Sequence, residues 1–347
     1  MSADDDAPRV EHETHVPPAH LATRGLTRRL VVGTVLGVLV FAGLSVYADL
    51  AALGANLGAF RWSAFGWALV LATGNYALRF VRWQYYLGRI GVRVAHGPSF
   101  LIFVAGFIMS ITPGKVGEVF KSLLLYEHDG TSIAKTAPVV VAERVTDLAA
   151  LVLLTAVGSL AFARGLPLAL AGAAATVAIL VGASWRPVGE ALLGLAARLP
   201  ILGRLTPRLR EAYEALYTLN RPVPLAVATS VSVVSWGLEG ISLGVLLRGF
   251  PDAALSWTAA TFAYSASTIA GALAMMPGGL GVTEIGMTQL LELLGGGRIS
   301  PATATAATML CRVATLWWAV VLGAVALAIL RLQRRLQPGA SRPAPNP

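Results

Sequence analysis

Inside strongly apolar sequence, the stretch Ala274-Met275-Met276-Pro277-Gly278-Gly279-Leu280-Gly281-Val282-Thr283-Glu284 holds one proline, three glycines and a carboxylate. A continuous transmembrane helix is not written this way. Proline lacks a backbone donor and disfavours the helical conformation in the residue before it, while glycine admits turn dihedrals that other residues avoid. The helix arriving from Ser256 is therefore expected to break here, and a new one to begin near Thr283. In hydrocarbon an unpaired backbone N–H or C=O costs several kcal/mol, so a break at membrane depth is tolerated only where protein or a water-filled cavity surrounds it. The break is thus a candidate binding site, with a plain surface loop between two short spans as the alternative.

The device occurs a second time, at Thr112-Pro113-Gly114-Lys115-Val116-Gly117-Glu118. Both copies read Pro-Gly, a further glycine, then a glutamate opening an amphipathic half-helix. Asn75 lies 38 residues before Pro113, and Glu239 lies 38 before Pro277, each a polar residue in an apolar span. Arg144 follows Pro113 by 31 residues and Arg312 follows Pro277 by 35, the difference falling where Gly295-Gly296-Gly297 admits an insertion. The chain therefore reads as two repeats, about 62–162 and about 223–330.

Composition sets the class. A chain of 347 residues that is 56% hydrophobic and 13% charged, with a mean hydropathy of +0.68, is a polytopic membrane protein. The formal charge of +9 sits largely on arginines beside apolar spans, which reads as topology and contact with anionic lipid and not as nucleic-acid binding. The single cysteine, Cys311, excludes an intrachain disulfide and a cysteine metal site. No metal or cofactor is expected, and no phosphate-loop pattern for ATP hydrolysis is present.

The expected fold is all-α: about six full transmembrane helices plus two re-entrant helical hairpins in two inverted repeats. Residues 1–29 read as a disordered cytoplasmic tail, 30–335 as a single transmembrane domain, and 336–347 as a second disordered tail. Full spans are placed at about 30–48, 62–80, 136–162, 166–184, 223–247 and 303–330. The apolar run 99–111 is too short for the roughly 20 residues a crossing needs, so it is expected to dip in and return after Pro113. Arg79, Arg82, Arg89 and Arg93 are taken to fix the end of the second span in the cytoplasm. The linker 185–222 reads as cytoplasmic, with an amphipathic helix from Thr206-Pro207 lying on the inner leaflet. Both termini are then cytoplasmic, and the two repeats face opposite ways.

Ionisable side chains at bilayer depth cost about 2.5–3.5 kcal/mol each on insertion scales, so each needs a partner or a purpose. Arg144 has Glu143 beside it and Asp147 three residues on, within reach on a helix. Arg312 has no acidic residue anywhere from Ile299 to Pro338, so its counter-charge is Glu239, Glu284 or a bound anion. Arginine matches phosphate bidentately, and the half-helix starts direct N–H groups and a positive dipole end into the cavity, with Lys115 adding a cation. Glu118 and Glu284 either cap those starts or titrate and couple a proton.

Three elements together carry a family likeness: Ile111-Thr112-Pro113-Gly114-Lys115-Val116-Gly117-Glu118, Glu143-Arg144-Val145-Thr146-Asp147-Leu148, and Pro277-Gly278-Gly279-Leu280-Gly281-Val282-Thr283-Glu284. Over about residues 30–330 the chain resembles the transmembrane region of lysylphosphatidylglycerol synthases and their stand-alone, flippase-like relatives. The soluble aminoacyl-transferring domain of the bifunctional members is expected to be missing. The resemblance therefore implies flippase-like transport and no synthase activity.

The expectation is a non-enzymatic transporter in the cytoplasmic membrane. It would move an anionic phospholipid or polyprenyl-phosphate intermediate between leaflets, with a homo-oligomer left open. The substrate-binding candidates are Asn75, Pro113, Gly114, Lys115, Gly117, Glu118, Arg144, Asp147, Glu239, Pro277, Gly278, Gly279, Gly281, Glu284 and Arg312. A non-transporting accessory factor for envelope lipid assembly and a lipid-modifying membrane enzyme are the alternatives.

Overall fold

A computed structural model describes residues 19–111, 118–160, 166–187, 206–251 and 253–336, together with positions 190, 191 and 194. Among these residues the structure is helical, with no strand. Helix α1 (Ala19–Tyr47) begins ahead of the apolar run expected as the first span. Asp49, at φ 65°, turns the chain through 97° into α2 (Leu50–Ala59) and caps it, its carboxylate accepting from the Ala51 amide at 2.9 Å. Nothing in the apolar pattern around 50–59 marks that turn.

The long helices follow. Helix α3 (Trp62–Arg89) leads to α4 (His96–Ala105), which tightens into a 3₁₀ turn, Gly106–Met109, before the first break. After the break come α5 (Phe120–Asp129), α6 (Ile133–Ser159), α7 (Leu166–Ser184) and α8 (Thr206–Leu219). The second half runs α9 (Pro222–Leu247), α10 (Trp257–Leu273), α11 (Val282–Gly295) and α12 (Pro301–Arg312), then a π-helical turn, Val313–Trp317, into α13 (Trp318–Leu336).

Two described helices, Pro222–Leu247 and the α12–α13 stretch Pro301–Gln333, are long and apolar enough to cross a membrane, and the bent pair α1–α2 makes a third if counted as one span. Helices α3 and α6, at 28 and 27 residues, have the length. Both carry several charges, and most of these are turned inward: Arg79, Arg82, Glu143 and Asp147 are all buried.

The halves pack by exchange. Helix α3 lies along α9; α6, closing the first half, packs on α10 of the second; and α13, closing the second half, packs on α4 of the first. The α4–α13 contact is close because Gly323 brings a helix surface onto backbone: a Cβ there would stand 2.5 Å from the Ile108 nitrogen. The expected interfacial helix, α8, is seated on α6, with Leu219 buried in the same core as Trp83, Tyr86 and Leu125. Ala215 and Leu219 are buried against the protein, while Leu209, Tyr213 and Leu216 are half-buried.

Candidate functional site

The second break has the shape its residues dictate. Helix α10, capped by the Ser256 hydroxyl on the Ala259 amide at 3.1 Å, ends at Leu273. Met275 is left-handed at φ 54°, a conformation rare outside glycine, and Gly278 and Gly281 follow at φ 62° and 88°. Gly281 opens α11, and its N–H is taken by the Glu284 carboxylate at 2.6 Å. Glu284 thus occupies the positive end of the half-helix, the capping role. That N–H is consequently not offered to a ligand, contrary to the expectation of free donors at this helix start.

The second break packs against the chain just ahead of the first. A Cβ on Gly278 would lie 3.5 Å from the Cα of Ile111, the last described residue before the first break, and Ile111 shares an apolar cluster with Leu280 and Leu316. Pro113, Gly114, Lys115 and Gly117 lie outside the described residues.

At this junction opens a cavity of about 300 Å³. Three guanidinium groups line it, Arg79 from α3, Arg144 from α6 and Arg312 from α12, with three carboxylates, Glu118, Asp147 and Glu239. Tyr76, Phe107, Trp236 and Tyr264 supply aromatic walls, and exposed Met275 and Met276 form part of the lining. Arg79 lies over the rings of Phe107 and Trp236, 5.7 Å from each centre, and 3.8 Å from Asp147.

Each charge has defined company. Arg312 donates from Nε to Glu284 at 2.6 Å and from Nη2 to the Gly278 carbonyl at 2.7 Å, so of the two carboxylates offered by the sequence it is Glu284 that pairs with it. Arg144 reaches Glu118 and Asp147, both at 3.0 Å. In each half, then, the glutamate after the Pro-Gly break meets the arginine of the helix that follows. Asn75 and Glu239, the matched polar positions, touch each other: the Asn75 amide donates to Glu239 Oε1 at 2.8 Å and to the Ser235 carbonyl at 2.9 Å, and the Tyr264 hydroxyl donates to Glu239 Oε2.

Behind the cavity lies a second set that sequence reasoning missed. Arg82, almost wholly buried, donates to Asp147 at 2.6 Å, to Thr146 at 3.2 Å and to the Ser232 hydroxyl. Buried Lys121 meets Glu143 at 2.6 Å and stands 4.7 Å from the Trp83 ring centre. Glu143, expected beside Arg144, thus serves Lys121. Arg79 and Arg82 had been read as markers of a cytoplasmic helix end. A signal was available: Asn75, Arg79, Arg82 and Tyr86 follow at helical spacing and form one buried polar stripe on α3.

These features define a membrane protein, all-helical among the described residues, with a charged, aromatic-walled cavity beside the second helix break. The chain belongs to the lysylphosphatidylglycerol synthase transmembrane-region family, whose model matches residues 34–323. It is also similar to a UPF0104 membrane protein of Methanothermobacter thermautotrophicus, 25% identical over 286 residues that cover 76% of this chain and 82% of that one.

Proposed function

We propose that this chain is a flippase-like transporter, without enzymatic activity, that moves a phosphate-bearing lipid between leaflets of the cytoplasmic membrane. The lipid is an anionic phospholipid or a polyprenyl-phosphate intermediate. The observation that carries the reading is the convergence of Arg79, Arg144 and Arg312, from three helices, on one cavity beside apolar residues at the second break. Each guanidinium has five N–H donors, and the carboxylates and carbonyl that hold them use only part of that set. A phosphate entering the cavity takes the remainder, while the acyl or prenyl chains stay in the bilayer.

Inverted repeats account for the paired features. The Asn75–Glu239 contact, the matching Glu118–Arg144 and Glu284–Arg312 pairs, and the reciprocal packing of α6 on α10 and α13 on α4 are what two oppositely oriented copies would produce. In this reading α4–α5 and α10–α11 are re-entrant hairpins, the termini are cytoplasmic, and rocking of the copies exposes the cavity to each leaflet in turn.

The test is reconstitution into vesicles, with a fluorescent phosphatidylglycerol followed by chemical quenching from outside. Protein-dependent movement with the lipid's mass unchanged is expected. Arg144→Gln should slow it roughly tenfold to a hundredfold, the loss of one charge-assisted hydrogen bond, and Arg144→Lys should slow it less. A product of altered mass would replace this reading with a lipid-modifying enzyme, and no movement of any phosphate-bearing lipid would favour the accessory factor.

A further inference from the structure

Helix α1 is fastened to its neighbours at two heights and stands away from α11 between them. At the lower point glycines permit close approach: a Cβ on Gly33 would lie 2.6 Å from Ile111 Cδ1, and one on Gly37 would run into the Trp317 ring. At the upper point the Tyr47 hydroxyl donates to the Glu292 carboxylate of α11, 3.2 Å from Oε1 and 3.3 Å from Oε2. Between the two, a Cβ on Gly43 would find nothing within 4 Å. The result is a groove of about 360 Å³, walled on the α1 side by Val40, Gly43 and Leu44 and on the α11 side by Gly281, Ile285 and Thr288. We propose that this groove is a binding site for one acyl chain of a bilayer phospholipid, separate from the headgroup cavity.

Its chemistry selects that occupant. Val40, Leu44 and Ile285 make the walls apolar, the two glycines add no side chain, and Thr288 directs its hydroxyl away to Thr308 on α12 at 3.1 Å. Polar groups gather at one end, where Gln289 and the Tyr47–Glu292 pair stand. A tyrosine and a carboxylate at the mouth of an apolar trough follow the order of a lipid, headgroup level first and hydrocarbon below. From Val40 to Tyr47 the trough runs about 10 Å at the rise of a helix, and a helix with its side chains is itself about 10–12 Å across. The space therefore suits an extended hydrocarbon chain and not a helix of a second copy. The groove opens on the same side of the molecule as a medium of hydrocarbon, which the exposed Val35, Val38 and Val46 of α1 also face. A chain lying in it makes dispersion contact with both walls.

The deep end of the groove adjoins the second break. Gly281 is both part of the wall and the residue that opens α11, its N–H held by Glu284, while Gly278, Gly279 and Thr283 line the headgroup cavity. The break is thus the partition between groove and cavity. A chain in the groove bridges α1 and α11 and backs that partition from the side away from Arg312. The site needs only that the chain is embedded in lipid, and it stands apart from the transporter reading.

Photolabelling of the full chain tests it. The protein is reconstituted in vesicles containing phosphatidylcholine with a diazirine on one acyl chain, irradiated, digested and mapped by mass spectrometry. Labelling of Leu44 and Ile285 above that of Val35, on the open face of α1, is expected. Gly43→Phe, whose ring has room to enter the trough, should abolish the groove labelling and leave Val35 labelled. Should that variant fail to fold, Ile285→Trp fills the trough from the other wall and is read in its place. Groove labelling no stronger than at Val35, or unchanged by the filling variant, overturns the proposal. So does efficient disulfide dimerisation through a cysteine at position 285 in a Cys311→Ser background, which would give the groove to a second copy. Arg144→Gln should leave the groove labelled, and loss of its labelling in that variant would overturn the separation from the cavity. Vesicles in which no lipid crosses while the groove is labelled remove the transporter reading and keep this site.

Discussion

Asn75 on α3 and Glu239 on α9 share a hydrogen bond of 2.8 Å although 164 residues separate them in the chain. They hold equivalent places before the two Pro-Gly breaks, so equivalent positions meet where the two halves cross. Replacing the amide by a second carboxyl tests how much of that crossing depends on the pair. Asn75→Asp removes the donor to Glu239 and to the Ser235 carbonyl and sets two carboxyl groups face to face. A loss of about 1–3 kcal/mol is expected near neutral pH. It should shrink as the pH falls, because one shared proton restores a hydrogen bond. Thermal unfolding in detergent across a pH series measures this, and a variant as stable as the native protein at high pH would show the contact to be incidental.

Arg312 and Glu284 form the ion pair that closes the second break. Arg312→Gln leaves the Glu284 carboxylate buried with its Gly281 amide and no guanidinium, which is expected to cost about 3–5 kcal/mol. Arg312→Gln combined with Glu284→Gln removes the stranded charge and should recover most of that stability. Recovery of stability alone, with lipid movement still lost, is the outcome that fits a guanidinium serving both the pair and the headgroup. Recovery of both would leave Arg312 a purely structural partner.

The site was half legible in the sequence, and the division has a physical cause. Proline and glycine act locally, so the break at 277–281 and the helix starts at Trp257 and Val282 could be placed from the residues themselves. An arginine with no acidic neighbour on its own helix, such as Arg312, points across to another element. Arg144 was legible in part: Asp147, three residues on, pairs with it at 3.0 Å, but only tertiary packing turns its neighbour Glu143 to Lys121 and brings Glu118 to Arg144. Arg79 and Arg82 were lost in the same way. Basic residues at the end of an apolar span ordinarily mark the membrane surface, and their helical register with Asn75 carried the contrary message.

Arg82 supplies a prediction from that missed set. Arg82→Met keeps an unbranched side chain but withdraws the donors to Asp147, Thr146 and Ser232. Glu143 retains Lys121 at 2.6 Å, and Asp147 retains Arg144 at 3.0 Å, so the loss falls on a network with other cations and not on an isolated pair. A destabilisation of about 2–4 kcal/mol is expected, below the upper end for a bare buried charge. A cysteine at position 82 in a Cys311→Ser background should resist water-soluble maleimide in the folded protein, whereas one at Arg93 should react if α3 ends in the cytoplasm and that side is exposed. Ready labelling at position 82 would return this arginine to the membrane surface, where its sequence context had first put it.

Gly323 is where α13 comes closest to the first half. An added Cβ would stand 2.5 Å from the Ile108 nitrogen and 3.1 Å from both the Phe107 carbonyl carbon and the Val104 oxygen, all backbone atoms that cannot swing aside. Gly237, on α9, has nothing within 4 Å of its added Cβ. The two alanine substitutions should therefore part in sign. Gly237→Ala is expected to be neutral or to stabilise by about 0.5–1 kcal/mol, through helix propensity. Gly323→Ala should destabilise by about 1–3 kcal/mol, as overpacking does, because α4 and its 3₁₀ turn must move away from α13. That displacement reaches the cavity through Phe107, whose ring carries Arg79. Lipid movement by Gly323→Ala should consequently fall further than its stability predicts, while Gly237→Ala keeps native rates. Equal stability of the two variants would mean that the α4–α13 contact is looser than the packing of Gly323 on Ile108 requires.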